Sequence, residues 1–230
     1  MALIVETADD AVAGIADGST VLIGGFGMAG MPLDLIDALV RHGATGLTLV
    51  SNNAGNGRAG IAALLEAGQV RKVICSFPRQ TDSYVFDGLY RAGKVELELV
   101  PQGNLAERMR AAGAGIGAFY CPIGVGTPLA EGKETRVIDG RTYLLEHPIK
   151  GDVALISAHK SDRLGNLVYR KTARNFAPVM ATAATTVIAQ VSEIVAVGAL
   201  DPETVITPSI YVDKVVTAAA ARELSPDGVG

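Results

Sequence analysis

Short apolar runs alternate along the chain with stretches in which apolar residues recur every third and fourth position. STVLIGGF, LTLVSNNAG, VRKVICSF and VELELVPQG are brief, rich in apolar residues and bounded by glycine, the pattern of buried strands. Between them PLDLIDALVRHG and GIAALLEAG carry helical spacing. Pro32 stands where a helix can begin without an N–H to lose, and Gly43 stops that helix. A shorter helical stretch covers 11–16 and ends at Asp17-Gly18. NLAERMRAAGAG predicts another helix, capped by Asn104, with Glu107 three residues on completing a capping-box pattern. Strands alternating with helices predict an α/β fold: a doubly wound, mostly parallel sheet flanked by helices, as a single domain over residues 1–230.

The second half is less regular. GIGAFYCPIGVGTPLAEGKE holds too many glycines and prolines for a regular element and predicts a long ordered loop, within a 111–135 segment that could close over a ligand. TRVIDGRTYLLEH reads as a hairpin turning at Asp139-Gly140. GDVALISAHKSDRLGNLVYRK gives two strands joined by a turn over 162–166, TTVIAQVSEIV and ITPSIYVDKVV supply further strands, and 220–230 reads as a frayed tail.

Composition narrows the function classes. The 230 residues are 49% hydrophobic and 19% charged, ordinary for a globular protein with a sizeable core. A formal net charge of −4, with acids and bases interspersed, leaves no basic face for nucleic acid or anionic lipid. Cys75 and Cys121 are too few for a disulfide framework, and no Cys/His cluster offers metal ligands. The N-terminus carries acids from Glu6 onward and no basic leader, so neither a signal peptide nor a membrane span is expected and a cytoplasmic setting is. Small-molecule chemistry is the remaining default.

Residues 24–32, GGFGMAGMP, contain Gly25, Gly27 and Gly30 in the spacing G-x-G-x-x-G. A dinucleotide site also needs an Asp or Glu at the end of the second strand, about 20 residues on, to accept from the ribose. Here that strand ends Ser51-Asn52-Asn53. A dinucleotide, another anionic or acyl ligand, and a purely structural tight turn all stay open for the glycines. Asn52, at the carboxyl end of a central strand, could donate its amide to a carbonyl oxygen that gains negative charge; equally, Asn52 and Asn53 could shape a turn. His42 and His147 read as structural. His159, at a strand end beside Lys160, could be either structural or near a site.

Taken together, GGFGMAGMPLDLI, LTLVSNNAG, VPQGNLAERMRAAGAGIGAFY, EGKE, GDVALISAHKSDRLGNLVYRKTARNF and IYVDKVV resemble the α subunit of a family I CoA-transferase, in the right order from about residue 8 to 216. Within that family, SNNAGNGRAGIAALL and VRKVICSFPRQTDSYVFDGLYRAGK are most like members that use 3-oxoadipate; acetoacetate-using members carry S-Y-V-G-E-N in place of SFPRQTDSYVFD. The resemblance implies transfer of CoA from succinyl-CoA to a 3-oxoacid, in aromatic degradation by the β-ketoadipate pathway, without metal or nicotinamide cofactor. It also implies a covalent glutamyl intermediate and an α₂β₂ heterotetramer.

The nucleophilic glutamate implied by the resemblance belongs to an S-E-N-G segment of the β subunit, and no such segment occurs here. Glu66-Ala67-Gly68 fits E-x-G but reads as a surface acid before a C-capping glycine. By resemblance, Asn52 would hold the thioester oxygen and Gln102 would lie near the substrate carboxylate. Gly24, Gly25 and Gly27 would let backbone amides approach the ligand. Arg79, in the divergent segment 75–86, is the residue we expect to bind the distal carboxylate that distinguishes 3-oxoadipate from acetoacetate, the alternative being a solvated loop arginine. Arg170, Lys171 and Arg174 could face CoA phosphates or pair with acids at a subunit boundary.

Overall fold

The computed structural model of the chain describes residues 2–219. The chain runs through β1 (Leu3–Val5), α1 (Ala8–Val12), β2 (Thr20–Ile23), α2 (Leu33–His42), β3 (Leu47–Asn53), α3 (Ile61–Glu66), β4 (Val70–Phe77), α4 (Tyr84–Arg91) and β5 (Glu96–Leu99). Next come α5 (Gln102–Gly113), β6 (Phe119–Cys121), β7 (Thr135–Ile138) and β8 (Arg141–Glu146). It continues with β9 (Gly151–Asp162), β10 (Leu167–Val168), α6 (Ala177–Ala183), β11 (Ala184–Val195) and β12 (Lys214–Thr217). The 220–230 tail expected to fray lies outside the described residues.

The main sheet has nine strands ordered β1-β12-β11-β9-β2-β3-β4-β5, with β10 pairing antiparallel to β9; every other pairing is parallel. This is the predicted doubly wound architecture. Alternate residues of each strand face opposite layers of helix, because side chains alternate across a strand. Val21 and Ile23 of β2 pack with Leu35 and Leu39 of α2 on one face, while Leu22 joins Leu105, Met109 and Met180 of α5 and α6 on the other. Each fully buried leucine or isoleucine of these layers contributes about 1.5–3 kcal/mol through removal from water.

Helix boundaries depart from the sequence reading in several places. α1 begins at Ala8 and not at 11, because the Thr7 hydroxyl accepts from the Asp10 amide at 3.1 Å and caps it. α5 begins at Gln102, with Pro101 in the cap position, so the capping box predicted from Asn104 and Glu107 does not form. The backbone is already helical two residues before Asn104, whose buried side chain donates instead to Glu146 at 3.1 Å. The sequence pattern does not predict α4 or α6: α4 is amphipathic but interrupted by Gly88, and α6 is built mostly of small residues around Pro178. The segment ITPSIYVDKVV is a strand only from Lys214; before it, Ser209–Tyr211 form a 3-10 turn.

The hairpin at Asp139-Gly140 is present, both residues taking positive φ (48° and 74°) as a two-residue turn of that hand requires. It forms part of a second, antiparallel sheet ordered β6-β8-β7. The 111–135 segment is thus not all loop: it contains β6, paired with β8, and a 3-10 turn at Pro128–Ala130.

Arg108 of α5 joins this small sheet to the large one, approaching Glu146 of β8 at 3.9 Å. Glu98 of β5 binds Lys72 of β4 at 2.6 Å and Arg108 of α5 at 2.8 Å, while Glu146 of β8, 2% exposed, binds Lys133 at 2.6 Å. Burial alone would raise the Glu98 pKa, but the hydrogen bonds and charges of Lys72 and Arg108 outweigh it and hold the carboxyl below the ordinary glutamate range. A depressed native pKa stabilises above the unfolded value and is lost as pH falls through the native one. Glu98→Gln should therefore destabilise the fold by about 1–2 kcal/mol at pH 7, after discounting for partial exposure. Urea titrations from pH 7 downward should show the gap to wild type closing below about pH 4; a gap independent of pH would contradict this account.

Candidate active site

From β2 the strands proceed outward through β3, β4 and β5, and the chain then returns to place β9 on the other side of β2. The order reverses between β2 and β9, and α/β sheets bind ligands in the crevice beyond the carboxyl ends of the strands at such a point. Gly24 directly follows β2, Asn52 and Ser76 lie near the ends of β3 and β4, and Gln102 opens α5 just after β5. All therefore belong to the carboxyl edge of the sheet.

Asn52 is 2% exposed. Its Oδ1 accepts from Gln102 Nε2 at 2.7 Å, and the Ser76 hydroxyl lies 2.9 Å from Oδ1 and 3.1 Å from the Asn52 main-chain oxygen. With the carbonyl end of the amide engaged, Nδ2 is the free donor: no group among the described residues accepts from it. An amide pre-oriented in this way suits an oxygen that gains negative charge during a reaction. The turn-shaping role falls to Asn53, whose Oδ1 accepts from the Gly55 amide at 2.9 Å. Sequence reasoning does not single out Ser76, although its place near the end of VRKVICSF, two residues from buried Ile74, puts it on the Asn52 side of the sheet.

The glycine loop is a tight turn, with Phe26 and Ala29 exchanging main-chain hydrogen bonds of 3.0 and 3.2 Å. Gly25, Gly27 and Gly30 take φ of +136°, +59° and +73°, values that side chains disfavour. The Gly24 amide donates to Leu155 O at 3.0 Å and the Gly25 amide to Asn175 Oδ1 at 3.1 Å. Of the three glycines expected to let backbone amides approach a ligand, Gly24 and Gly25 thus have their own amides engaged within the protein. The amides left without a partner among the described residues are those of Gly27, Met28 and Gly30. The next helix begins only at Leu33, and its first turn is capped from a distance, the Gln190 Oε1 accepting from the amides of Asp34 (3.0 Å) and Leu35 (3.2 Å). With Asn52 and Asn53 at the end of the second strand, this is not a dinucleotide turn.

Arg79 follows the carboxyl end of β4, its side chain 54% exposed and paired with Asp87, which Arg91 also approaches at 3.5 Å. The structure thus places Arg79 on the loaded edge of the sheet but holds it by α4, outside the Asn52 hydrogen bonds. The neighbouring loops are stitched together: Ser83 Oγ donates to Gly55 O at 2.9 Å, and the Gly57 amide to Asp82 O at 2.9 Å.

On the β9 side of the glycine loop lies a cleft of about 600 Å³ lined by Gly30, His159, Tyr169, Arg170, Lys171 and Ser192. Arg170 and Lys171 line the cleft and form no ion pair among the described residues, nor does Arg174 nearby in the chain, so two unpaired cations border it. His159 faces it, whereas His42 is tied to Ile15 O at 2.8 Å. Neither Cys75 nor Glu66 is suited to nucleophilic work. Burial pushes the Cys75 thiol up to about 12, leaving no thiolate at neutral pH. Glu66 closes α3 at the surface, 3.5 Å from Arg58.

The model of the family described as Coenzyme A transferase matches residues 5–218. The chain is 67% identical over 220 residues to the A subunit of the 3-oxoadipate CoA-transferase of Pseudomonas putida, covering 96% of this chain and 95% of that one. It is 52% identical over 214 residues to the A subunit of the succinyl-CoA:3-ketoacid coenzyme A transferase of Xanthomonas campestris, covering 93% and 88%. Among solved structures, an acyl-CoA transferase apoenzyme from Escherichia coli superposes with a TM-score of 0.82 at 26% identity, over 94% of this chain and 47% of that one. The chain thus spans about half the length of that structural relative. Among the described residues no helix is long and apolar enough to cross a membrane.

Proposed function

The chain belongs to the coenzyme A transferase family, and from that premise we propose that it is the α subunit of a 3-oxoadipate CoA-transferase, moving CoA from succinyl-CoA to 3-oxoadipate. The observation that carries this reading is 67% identity, over nearly the whole of both chains, to the Pseudomonas putida subunit of that enzyme. The partner is a β subunit that lends the glutamate of an S-E-N-G segment, in a cytoplasmic α₂β₂ enzyme that needs no metal or nicotinamide.

The proposed chemistry gives Asn52 a defined task. The partner's glutamate carboxylate attacks the thioester carbonyl carbon of succinyl-CoA. The carbonyl oxygen takes up the electron pair, and the Asn52 Nδ2 hydrogen stabilises it. Collapse expels CoA thiolate and leaves a mixed anhydride. The thiolate then attacks the glutamyl carbonyl of that anhydride, releasing succinate and leaving CoA on the enzyme as a thioester. 3-Oxoadipate attacks this thioester, and the same steps run in reverse.

Acetoacetate as acceptor is the second reading, favoured by the 52% identity to a succinyl-CoA:3-ketoacid enzyme. The two separate on Arg79, whose guanidinium suits the distal carboxylate that only 3-oxoadipate has. With the partner subunit co-expressed, the wild-type enzyme should prefer 3-oxoadipate. Arg79→Ala should lower kcat/KM for 3-oxoadipate roughly 10- to 100-fold, the value of a lost charge-assisted hydrogen bond, and leave acetoacetate unchanged. Equal losses with both acids would remove Arg79 from recognition; a faster wild-type rate with acetoacetate would overturn the 3-oxoadipate reading.

A further inference from the structure

The shape of the glycine loop is fixed from a residue 150 positions further along the chain. Asn175 sits just after the 3-10 turn Lys171–Arg174 with φ 24° and ψ −117°, a conformation that side-chain-bearing residues rarely adopt. Lys171, four residues earlier, is also left-handed at φ 52°. Strain of this kind persists where surrounding contacts over-determine it, and here they are specific.

The Asn175 carboxamide is used at both ends. Oδ1 accepts from the Gly25 amide at 3.1 Å and from the Phe176 amide at 2.7 Å. Nδ2 donates to Ala29 O at 2.9 Å and lies 3.2 Å from both Thr172 O and Ala173 O. Gly25 and Ala29 bracket the turn that carries the unpartnered amides of Gly27 and Met28. One side chain therefore grips the entry and the exit of that turn. Gly30 is pressed against the same segment: a Cβ there would meet Ala173 O and Asn175 Nδ2.

We propose that Asn175 is a positioning residue that clamps residues 25–29 so that the free amides of the glycine loop keep a fixed direction toward the bound acyl group. The acyl ligand rests on the function proposed above; the clamp itself does not. A residue that only ended the 3-10 turn would need neither Gly25 nor Ala29. The clamp also gives the segment RKTARNF a task independent of its positive charges.

The test compares wild type, Asn175→Asp and Asn175→Ala, each co-assembled with the partner subunit, by amide hydrogen exchange over 24–31 and by steady-state CoA transfer. Aspartate retains the acceptor for Gly25 and loses the donor to Ala29, so its effects should fall between the other two. Exchange of the Gly25 and Ala29 amides should accelerate roughly tenfold or more in Asn175→Ala, with kcat falling by a similar factor and KM changing less. Melting temperature, measured in parallel, should drop too little in Asn175→Asp to explain its loss of kcat. Exchange over 24–31 equal to wild type in both variants would overturn the clamp, as would an unchanged kcat or a loss of kcat that simply follows melting temperature. If wild type transfers no CoA, the functional reading fails, and the exchange data still decide the clamp.

Discussion

Asn52→Ala in the co-assembled enzyme is expected to lower kcat by about a hundredfold to a thousandfold, the cost of removing one preorganised oxyanion donor. The reason lies in which end of the carboxamide is occupied. Gln102 and Ser76 hold Oδ1, so the amide cannot rotate to offer its oxygen without losing both contacts. Alanine also leaves Gln102 without its acceptor, whereas Ser76 keeps the Asn52 main-chain oxygen, so the decisive variant is Asn52→Asp. Aspartate keeps the shape and an acceptor for both neighbours, but has no N–H and places a negative charge where the oxyanion would form. Both variants should lose kcat to a similar extent while KM changes much less, as for an interaction made mainly in the transition state. Steady-state kinetics with succinyl-CoA and 3-oxoadipate measure this, and an aspartate variant with near wild-type kcat would remove Asn52 as the donor.

Gly30→Ala is expected to cost about 3 kcal/mol. Two effects add: a left-handed φ of +73° costs an L-residue roughly 1–2 kcal/mol, and a Cβ placed 2.2 Å from the Ala173 carbonyl oxygen forces main chain to move. For a chain of this size that corresponds to a melting temperature lower by roughly 6–12 °C. Gly27→Ala is the internal control, because its φ is also positive but no atom lies within 4 Å of the added Cβ. It should show only the backbone penalty, about 1–2 kcal/mol. Thermal melts of the two variants side by side test the account, and equal shifts would mean that the contact between the glycine loop and the 170–175 segment yields easily.

The alternation of apolar runs with helical spacing was sufficient to read the parallel sheet, because a strand buried on both faces has few alternatives to a continuous apolar sequence. The elements that escaped were those with weak periodicity. α6 is small residues around a proline, and β6 is three residues recruited into a sheet by β8, beyond the intervening loop and β7. The Asn104 cap failed for a related reason. Asn104 followed by Glu107 is a sound local signal, yet Pro101 starts the helix earlier and Glu146, 42 positions away, takes the Asn104 amide. Local chemistry proposed a cap, and a long-range partner decided otherwise.

The sequence by itself determined that a flexible glycine turn follows one central strand and that a neutral amide ends the next, since strand ends and turns are written in short-range patterns of apolar residues and glycine. Family membership was legible too, from motifs in order along the chain. Only the tertiary structure decided what those residues do to one another. Gln102 and Ser76 orient Asn52 across 50 and 24 positions of chain, and Asn175 grips the glycine turn across 150. Hydrogen bonds of that kind depend on distances near 3 Å between side chains and main chain that meet only once the sheet has formed. The type of each residue announces what it can donate or accept; folding alone settles which end of it is left free.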